Sequence, residues 1–288
     1  LHLNRMKYAR LLPTAGIGYS FSQNAKAYLN YGRNYMRPYA YVPVTNLFAD
    51  NTSTFTEAGM SLQDVFNQWE METSDHVDLG LHYRNSGFVI KPSVFYARHH
   101  DVLTPVFDPV VGLNYYQNTG EMNAYGAELL LTWQSGERWV FFGNFTYNRM
   151  TFASNLKRKT AAEGTQTIPL KGNQIPATPE LLFKSGATWS FSGLTISPGV
   201  RYVGSRYSDA LNQQSLPGYW VFDARLGYDL KTLIPGFRRF ALTAELNNLT
   251  DNRYIGRIAV SDDTQSGGAA FYAGMPFNAV FSLAVSFE

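Results

Sequence analysis

The chain has 288 residues, with aromatics at 15%, charged residues at only 16% and a formal net charge of +2. Soluble proteins average about 25% charged residues, so the shortage of charge fits a surface turned to lipid, and near-neutrality gives no field for steering nucleic acid. With no cysteine there is no disulfide framework, iron–sulfur cluster or thiolate zinc site, and no stretch nears 18 uninterrupted apolar residues, which excludes a transmembrane helix.

What remains is a membrane β-strand pattern, faint in each segment and persuasive by repetition. In chain order the alternation predicts strands at 13–22, 25–36, 74–84, 88–104, 116–134, 138–152, 179–191, 194–207, 219–230, 239–249 and 276–287. Leu194, Ile196, Pro198, Val200 and Tyr202 fall on one side of their strand, and Thr195, Ser197, Gly199 and Arg201 on the other. Trp220, Phe222, Ala224, Leu226 and Tyr228 likewise oppose Asp223 and Arg225, and Phe277, Ala279, Phe281, Leu283, Val285 and Phe287 oppose Asn278, Ser282 and Ser286. One face suits hydrocarbon and the other a polar interior. The fold class expected is all-β, a portion of a transmembrane antiparallel β-barrel with about eleven strands.

The connections alternate in length. Short links fall at 22–24, 85–87, 135–137 and 192–193, with a slightly longer one at 231–238; long excursions fall at 37–73, 105–115, 153–178, 208–218 and 250–275. Short periplasmic turns and long extracellular loops are the outer-membrane arrangement. Tyr19, Phe21, Tyr83, Phe88, Trp133, Trp139, Trp189 and Phe191 gather beside the short links, where they suit an interfacial girdle. Within the first excursion, Leu62, Val65, Phe66 and Trp69 have helical spacing, which predicts one short helix started near Ser61. The run Lys157, Arg158, Lys159 reads as a solvated loop tip.

Four patches resemble a known family. Tyr28-Leu29-Asn30-Tyr31-Gly32-Arg33-Asn34-Tyr35-Met36-Arg37-Pro38 is similar to the aromatic, Gly-Arg strand of TonB-dependent outer-membrane receptors. Glu72-Thr73-Ser74-Asp75-His76-Val77-Asp78-Leu79-Gly80-Leu81 resembles the acidic opening of the next strand. Asn118-Thr119-Gly120 with Tyr125-Gly126-Ala127-Glu128-Leu129 resembles the paired NxG and GxE pattern. Leu246-Asn247-Asn248-Leu249-Thr250-Asp251-Asn252-Arg253-Tyr254 is similar to the near-terminal Asn-Leu, acidic, Arg-Tyr box. A terminal Phe287-Glu288 departs from the aromatic residue with which such barrels commonly finish.

The resemblance implies a barrel of 22 strands filled by an N-terminal plug, importing iron–siderophore complexes, haem, cobalamin or glycans with energy from TonB. Residues 1–288 are then the C-terminal portion of that barrel, the plug and first barrel strands being absent from the chain. The implied partners are outer-membrane lipid, the plug and the other barrel half, TonB acting through the plug, and an iron–siderophore ligand. A passive porin-like channel and a noncatalytic surface-binding barrel are the alternatives.

Strand parity puts Asp78, Lys91, Glu128, Lys184, Arg201, Asp223, Arg225 and Glu245 on the inner face, and the family architecture implies that they touch the plug or line its hydrated surroundings. The mouth-side candidates for substrate are Tyr39, Tyr41, Tyr116, Arg206, Tyr207, Tyr254 and Tyr272, because phenols and guanidinium groups stack on planar chelators and hydrogen-bond their oxygens. On a strand running to 207, Tyr207 shares the parity of Arg201, and Arg206 has the opposite one. His99 and His100 point to opposite faces, and His76 and His82 lie a membrane crossing apart, so no metal site is expected. No nucleophile–base signature appears, so neither enzyme activity nor a cofactor is expected.

Overall fold

The computed structural model describes residues 9–37, 41–108, 111–118, 120–160, 164–230, 239–259 and 269–286. In chain order the elements begin with β1 (Thr14–Ser20) and β2 (Ala25–Met36), followed by α1 (Tyr41–Asp50), α2 (Thr52–Glu57) and α3 (Leu62–Asn67). Next come β3 (Glu72–Asn85), β4 (Phe88–His100), β5 (Leu103–Asp108), β6 (Leu113–Asn118), β7 (Met122–Ser135) and β8 (Trp139–Phe152). These are followed by β9 (Leu156–Thr160), β10 (Gly164–Ile168), β11 (Leu181–Phe191), β12 (Leu194–Val203), β13 (Arg206–Tyr207) and β14 (Ser215–Leu216). The chain continues through β15 (Tyr219–Asp229), β16 (Arg239–Asn247), β17 (Ile255–Ala259), β18 (Ala270–Ala273) and β19 (Asn278–Ser286).

Eleven of these form one antiparallel sheet in the order β1-β2-β3-β4-β7-β8-β11-β12-β15-β16-β19. Each strand therefore pairs with the next long strand in sequence, as in an up-and-down barrel wall. The tight turns explain the register. Ser86 and Gly87 both take positive φ (42° and 83°), as do Ser192 and Gly193 (47° and 83°). Two successive positive-φ residues give a turn whose twist matches that of the strands it joins.

Three predicted strands prove too long, and one of them, 194–207, leaves the sheet after Val203. The segment 88–104 leaves the sheet after His100, where Asp101 has φ 54°, and 116–134 is broken at Gly120, where φ is 102°. These two left-handed positions face one another across the ribbon, with the Val102 N–H donating to the Gly120 carbonyl at 3.1 Å. Beyond them β5 and β6 continue as a separate hairpin. Ribbons β9–β10, β13–β14 and β17–β18 lie in or beside other long excursions, which therefore carry paired backbone. The basic run Lys157–Lys159 lies in β9.

The first excursion holds three helices where one was expected. α3 starts at Ser61 with a capping box: the Ser61 hydroxyl accepts from the Asp64 N–H at 3.2 Å, and the Asp64 carboxylate accepts from the Ser61 N–H at 2.8 Å. α2 is rich in Thr and Ser, which have weak helix propensity, and α1 carries Pro43 and the β-branched Val42, Val44 and Thr45, so neither has the local signal of a helix. Their apolar residues bury instead in a core of Phe48, Phe55, Leu62, Val65 and Phe66 with Tyr115 of β6.

Among the described residues, the apolar face of the sheet has no such core. Its apolar side chains stand in the open: Ile17 is 69% exposed and Phe281 77%. Aromatic rings form two belts on this apolar face. Near the short turns Trp133, Phe141, Trp139, Trp189 and Phe191 follow one another at 5.2–6.2 Å between centroids. Near the long connections Phe183 and Tyr202 both pack on Trp220. Phe183 and Phe191 lie about 27 Å apart along extended β11, comparable to the apolar band of about 25 Å in barrels with tilted strands.

Candidate ligand-binding site

Register decides which side chains share a face, since cross-strand partners always do. One row runs Lys91, Leu130, Asn144, Lys184, Arg201, Val221. Asp78 pairs with Phe95, Ser93 with Glu128, and Arg225 with Glu245, all at even offsets from that row. Asp78, Lys91, Glu128, Lys184, Arg201, Asp223, Arg225 and Glu245 consequently lie on one face, here the polar face. The opposite face carries rows such as Ile196, Leu226, Ala244, Phe281.

The polar-face charges are differently engaged. Arg225 Nε is 3.6 Å from Glu245 Oε1, with both side chains about half exposed, so the pair adds little to stability. Lys184, Arg201, Asp223, Arg225 and Glu245 line a groove of about 470 Å³. Asp78 and Glu128 line another of about 430 Å³ beside Tyr28 and Phe95. Asp223 Oδ1 is already occupied, accepting the backbone N–H of Asn248 at 2.9 Å.

At the long-connection end, three sequence candidates converge on a residue the sequence reading missed. Tyr219, the first residue of β15, stacks on Tyr254 with 4.1 Å between centroids and 22° between planes. The Arg206 guanidinium lies 5.5 Å from the Tyr219 centroid, within cation–π range. Arg201 Nη2 donates to the Tyr254 hydroxyl at 3.3 Å. Tyr219 shares the parity of Asp223 and Arg225, so an aromatic residue at the long-loop end of a polar face was the available signal. The cluster borders a cleft of about 490 Å³ lined by Tyr219, Arg253, Tyr254 and Ile255.

Arg206 is buried, at 4% exposure. Its Nη2 donates to the Ile255 carbonyl, while Nη1 is buried with no hydrogen-bond partner among the described residues. The parity carried from Arg201 to Tyr207 fails because β12 stops at Val203, where the Gly204 N–H turns to the Leu181 carbonyl. Tyr207 sits in the β13–β14 ribbon, its carbonyl accepting the Ala177 N–H. Tyr116 belongs to the loop layer, its carbonyl accepting the Trp69 indole N–H at 2.7 Å. Tyr272 is exposed on β18 with Arg257 5.6 Å over its ring. Tyr41 opens α1, and Tyr39 lies outside the described residues.

Residues 3–249 match the family described as TonB dependent receptor-like, beta-barrel. The chain belongs to the TonB-dependent receptor β-barrel family. Among curated relatives, the ferrioxamine receptor of Yersinia enterocolitica is 26% identical over 185 residues, which make up 64% of this chain and 24% of that protein. The ferrioxamine B receptor of Salmonella typhimurium is 31% identical over 140 residues, 49% of this chain and 19% of its own. The crystal structure of the siderophore receptor PiuA from Acinetobacter baumannii shares the fold, with a TM-score of 0.70 and 21% identity over 95% of this chain and 35% of that one. The chain thus spans less than a quarter of the length of these curated relatives.

As a segment of a TonB-dependent receptor β-barrel, the protein belongs to the outer membrane. This accounts for the exposed apolar face, because a barrel wall finds its apolar partner in lipid. It also accounts for an ionic network where that face rises past Tyr96 and Tyr125. There Arg98 meets Glu121 at 2.6 Å, His100 meets Glu121 at 3.2 Å, and the Tyr31 hydroxyl donates to Asp75 at 2.7 Å. Just outside the strands, Arg98 and then His100 hold the Glu121 carboxyl below the usual carboxylate range, against the opposing effect of burial. On the polar face the His76 and His99 rings are 5.6 Å apart, a pair that spacing along the chain did not single out, and His99 Nδ1 is 3.5 Å from Glu72. Among the described residues no group of three or more His, Cys, Asp or Glu is arranged to hold a metal ion.

Proposed function

We propose that the chain is the C-terminal portion of the barrel of an outer-membrane active-transport receptor for a ferric siderophore, driven by TonB through a plug carried elsewhere in the receptor. The observation that carries this reading is the cluster of Arg201, Arg206, Tyr219 and Tyr254 at the long-connection end of the polar face. Two guanidinium groups beside stacked phenols suit a bulky anionic chelate, whose oxygens accept from Arg and whose planar ligands stack on rings. The ferrioxamine-receptor relatives support the same class of substrate. On the wall below, Asp78, Lys91, Glu128 and Lys184 and the Arg225–Glu245 pair would meet the plug, whereas Asp223 Oδ1 is engaged with the loop base.

The test is uptake by the complete receptor in a strain stripped of its own siderophore receptors. Radiolabelled ferric ferrioxamine B, ferrichrome and a ferric catecholate are offered in turn, with and without TonB. Saturable uptake of one of them that disappears without TonB is the expected result. Permeation independent of TonB would assign a passive channel, and capture without uptake a surface-binding barrel.

A further inference from the structure

The near-terminal box of Asn248 to Tyr254 is a motif to which transport as described assigns no task beyond Tyr254 itself. Its geometry centres on Asn248, which is 1% exposed and takes φ 52° immediately after β16. Asn tolerates this left-handed conformation better than most residues. Every hydrogen-bonding group of its carboxamide is used. Nδ2 donates to the Asn252 carbonyl at 2.9 Å and the Met275 carbonyl at 3.0 Å, and Oδ1 accepts the Asn252 N–H at 3.0 Å. The backbone N–H of Asn248 is held by Asp223.

The neighbouring residues complete the tie. Asn252 Nδ2 donates to the Trp220 carbonyl at 2.9 Å, and Asp251 Oδ1 accepts the Phe277 N–H at 2.9 Å. The box thereby joins the start of β15, the end of β16 and the approach to β19. Two residues beyond Asn252, Tyr254 emerges over the polar face. Its carbonyl accepts the Gly274 N–H at 2.7 Å, and a Cβ on Gly274 would lie 2.2 Å from its ring. The ring is thus confined between Tyr219 and the bare backbone of Gly274, with its hydroxyl at Arg201.

We propose that Asn248 is a positioning residue for ligand binding: it anchors the loop base so that Tyr254 is presented to the ligand already stacked on Tyr219. This rests on the reading of Tyr254 as a ligand contact. A ring held in place beforehand loses less freedom when ligand arrives, and that difference appears as affinity. Asp223 acts in the same device, since its Oδ1 accepts the Asn248 N–H.

The test uses the complete receptor with Asn248→Gly, which keeps the left-handed backbone at no steric cost and removes the carboxamide. Hydrogen exchange without ligand should accelerate in peptides covering 252–259 and 269–275 while the strands stay protected; unchanged exchange there overturns the inference. Ferric ferrioxamine B affinity, at equal amounts of heat-modifiable folded receptor, should fall roughly two- to tenfold. In a Tyr254→Ala background the same substitution should cost nothing more, because Asn248 acts through that ring; additive losses overturn the inference. If Asn248→Gly fails to assemble, Gly274→Ala displaces the Tyr254 ring with the box intact, and full affinity in that variant overturns it too. A parent receptor that captures no ferric chelate overturns the function proposed above, and the exchange arm still decides whether Asn248 positions Tyr254.

Discussion

The Tyr254 ring, carried by a loop, lies nearly parallel to the Tyr219 ring, carried by a membrane strand, with 4.1 Å between their centroids. The stack joins the loop base to the strand wall. Aromatic pairs contribute about 0.5–1.5 kcal/mol beyond the area they bury. Tyr219→Ala should therefore weaken binding of the ferric chelate by the complete receptor roughly three- to tenfold, with the yield of folded protein unchanged. Equilibrium binding at matched folded concentration checks this, and unaltered affinity would remove the stack from the site.

Face assignment gives a second expectation. Leu226 stands on the apolar row with Ile196, Ala244 and Phe281, and Gly227 on the polar side, paired with Thr195 and Thr243. A Cβ at Gly227 would meet nothing nearer than 3.8 Å, so a side chain fits there. An Arg turned to lipid costs up to about 2–4 kcal/mol at the midplane and less toward the interfaces. Leu226→Arg should reduce membrane assembly far more than Gly227→Arg, measured as heat-modifiable receptor in outer-membrane fractions. Equal assembly of the two would reject the register.

The cap of α3 predicts a pH dependence. The Ser61 hydroxyl, followed by its backbone N–H, holds the Asp64 carboxyl below its ordinary value of 3.8. A lowered folded-state value means that the stabilisation is fully present above pH 3.8 and is lost as pH falls through the lower folded value. Protease resistance of segment 41–69 should be flat at neutral pH and decline only in strong acid, and Asp64→Asn should abolish that decline. Ser61→Ala should lower local stability by about 1 kcal/mol at all pH values above it. Acid sensitivity that persists in Asp64→Asn would place its origin elsewhere.

The sheet edges predict how residues 1–288 behave by themselves. Among the described strands, β1 pairs only with β2, and β19 only with β16. In an antiparallel sheet of eleven strands the two edges run in the same direction, so they cannot close on one another in antiparallel register. Unpaired backbone groups in hydrocarbon cost several kcal/mol each. Refolded in detergent, the chain should give heterogeneous, associated species without discrete conductance in liposomes. A homogeneous, heat-resistant monomer would contradict the edge argument.

Much of the wall was legible in the sequence because a barrel strand is coded locally. Alternation with a period of two assigns each side chain to a face wherever the strand is unbroken, and Gly and Asn mark the tight turns. That reasoning located all eleven long strands and predicted which charges share a face. It failed wherever the chain left the sheet. The parity argument favoured Tyr207 over Arg206 by assuming a continuous strand, and the same assumption hid the breaks at Asp101 and Gly120.

The loop layer was poorly legible, since its order arises from contacts between distant segments: Phe55 of α2 meets Tyr115 of β6, and Trp69 bonds the Tyr116 carbonyl. The sequence alone determined the membrane wall, its two faces and its family, because these follow from residue periodicity and short motifs. Only the tertiary structure decided that Tyr219 joins Arg206 and Tyr254, that His76 meets His99, and that Asp223 serves Asn248. Each of these depends on register between strands and on where a loop returns over the wall, and neither is written in the spacing of residues along one strand.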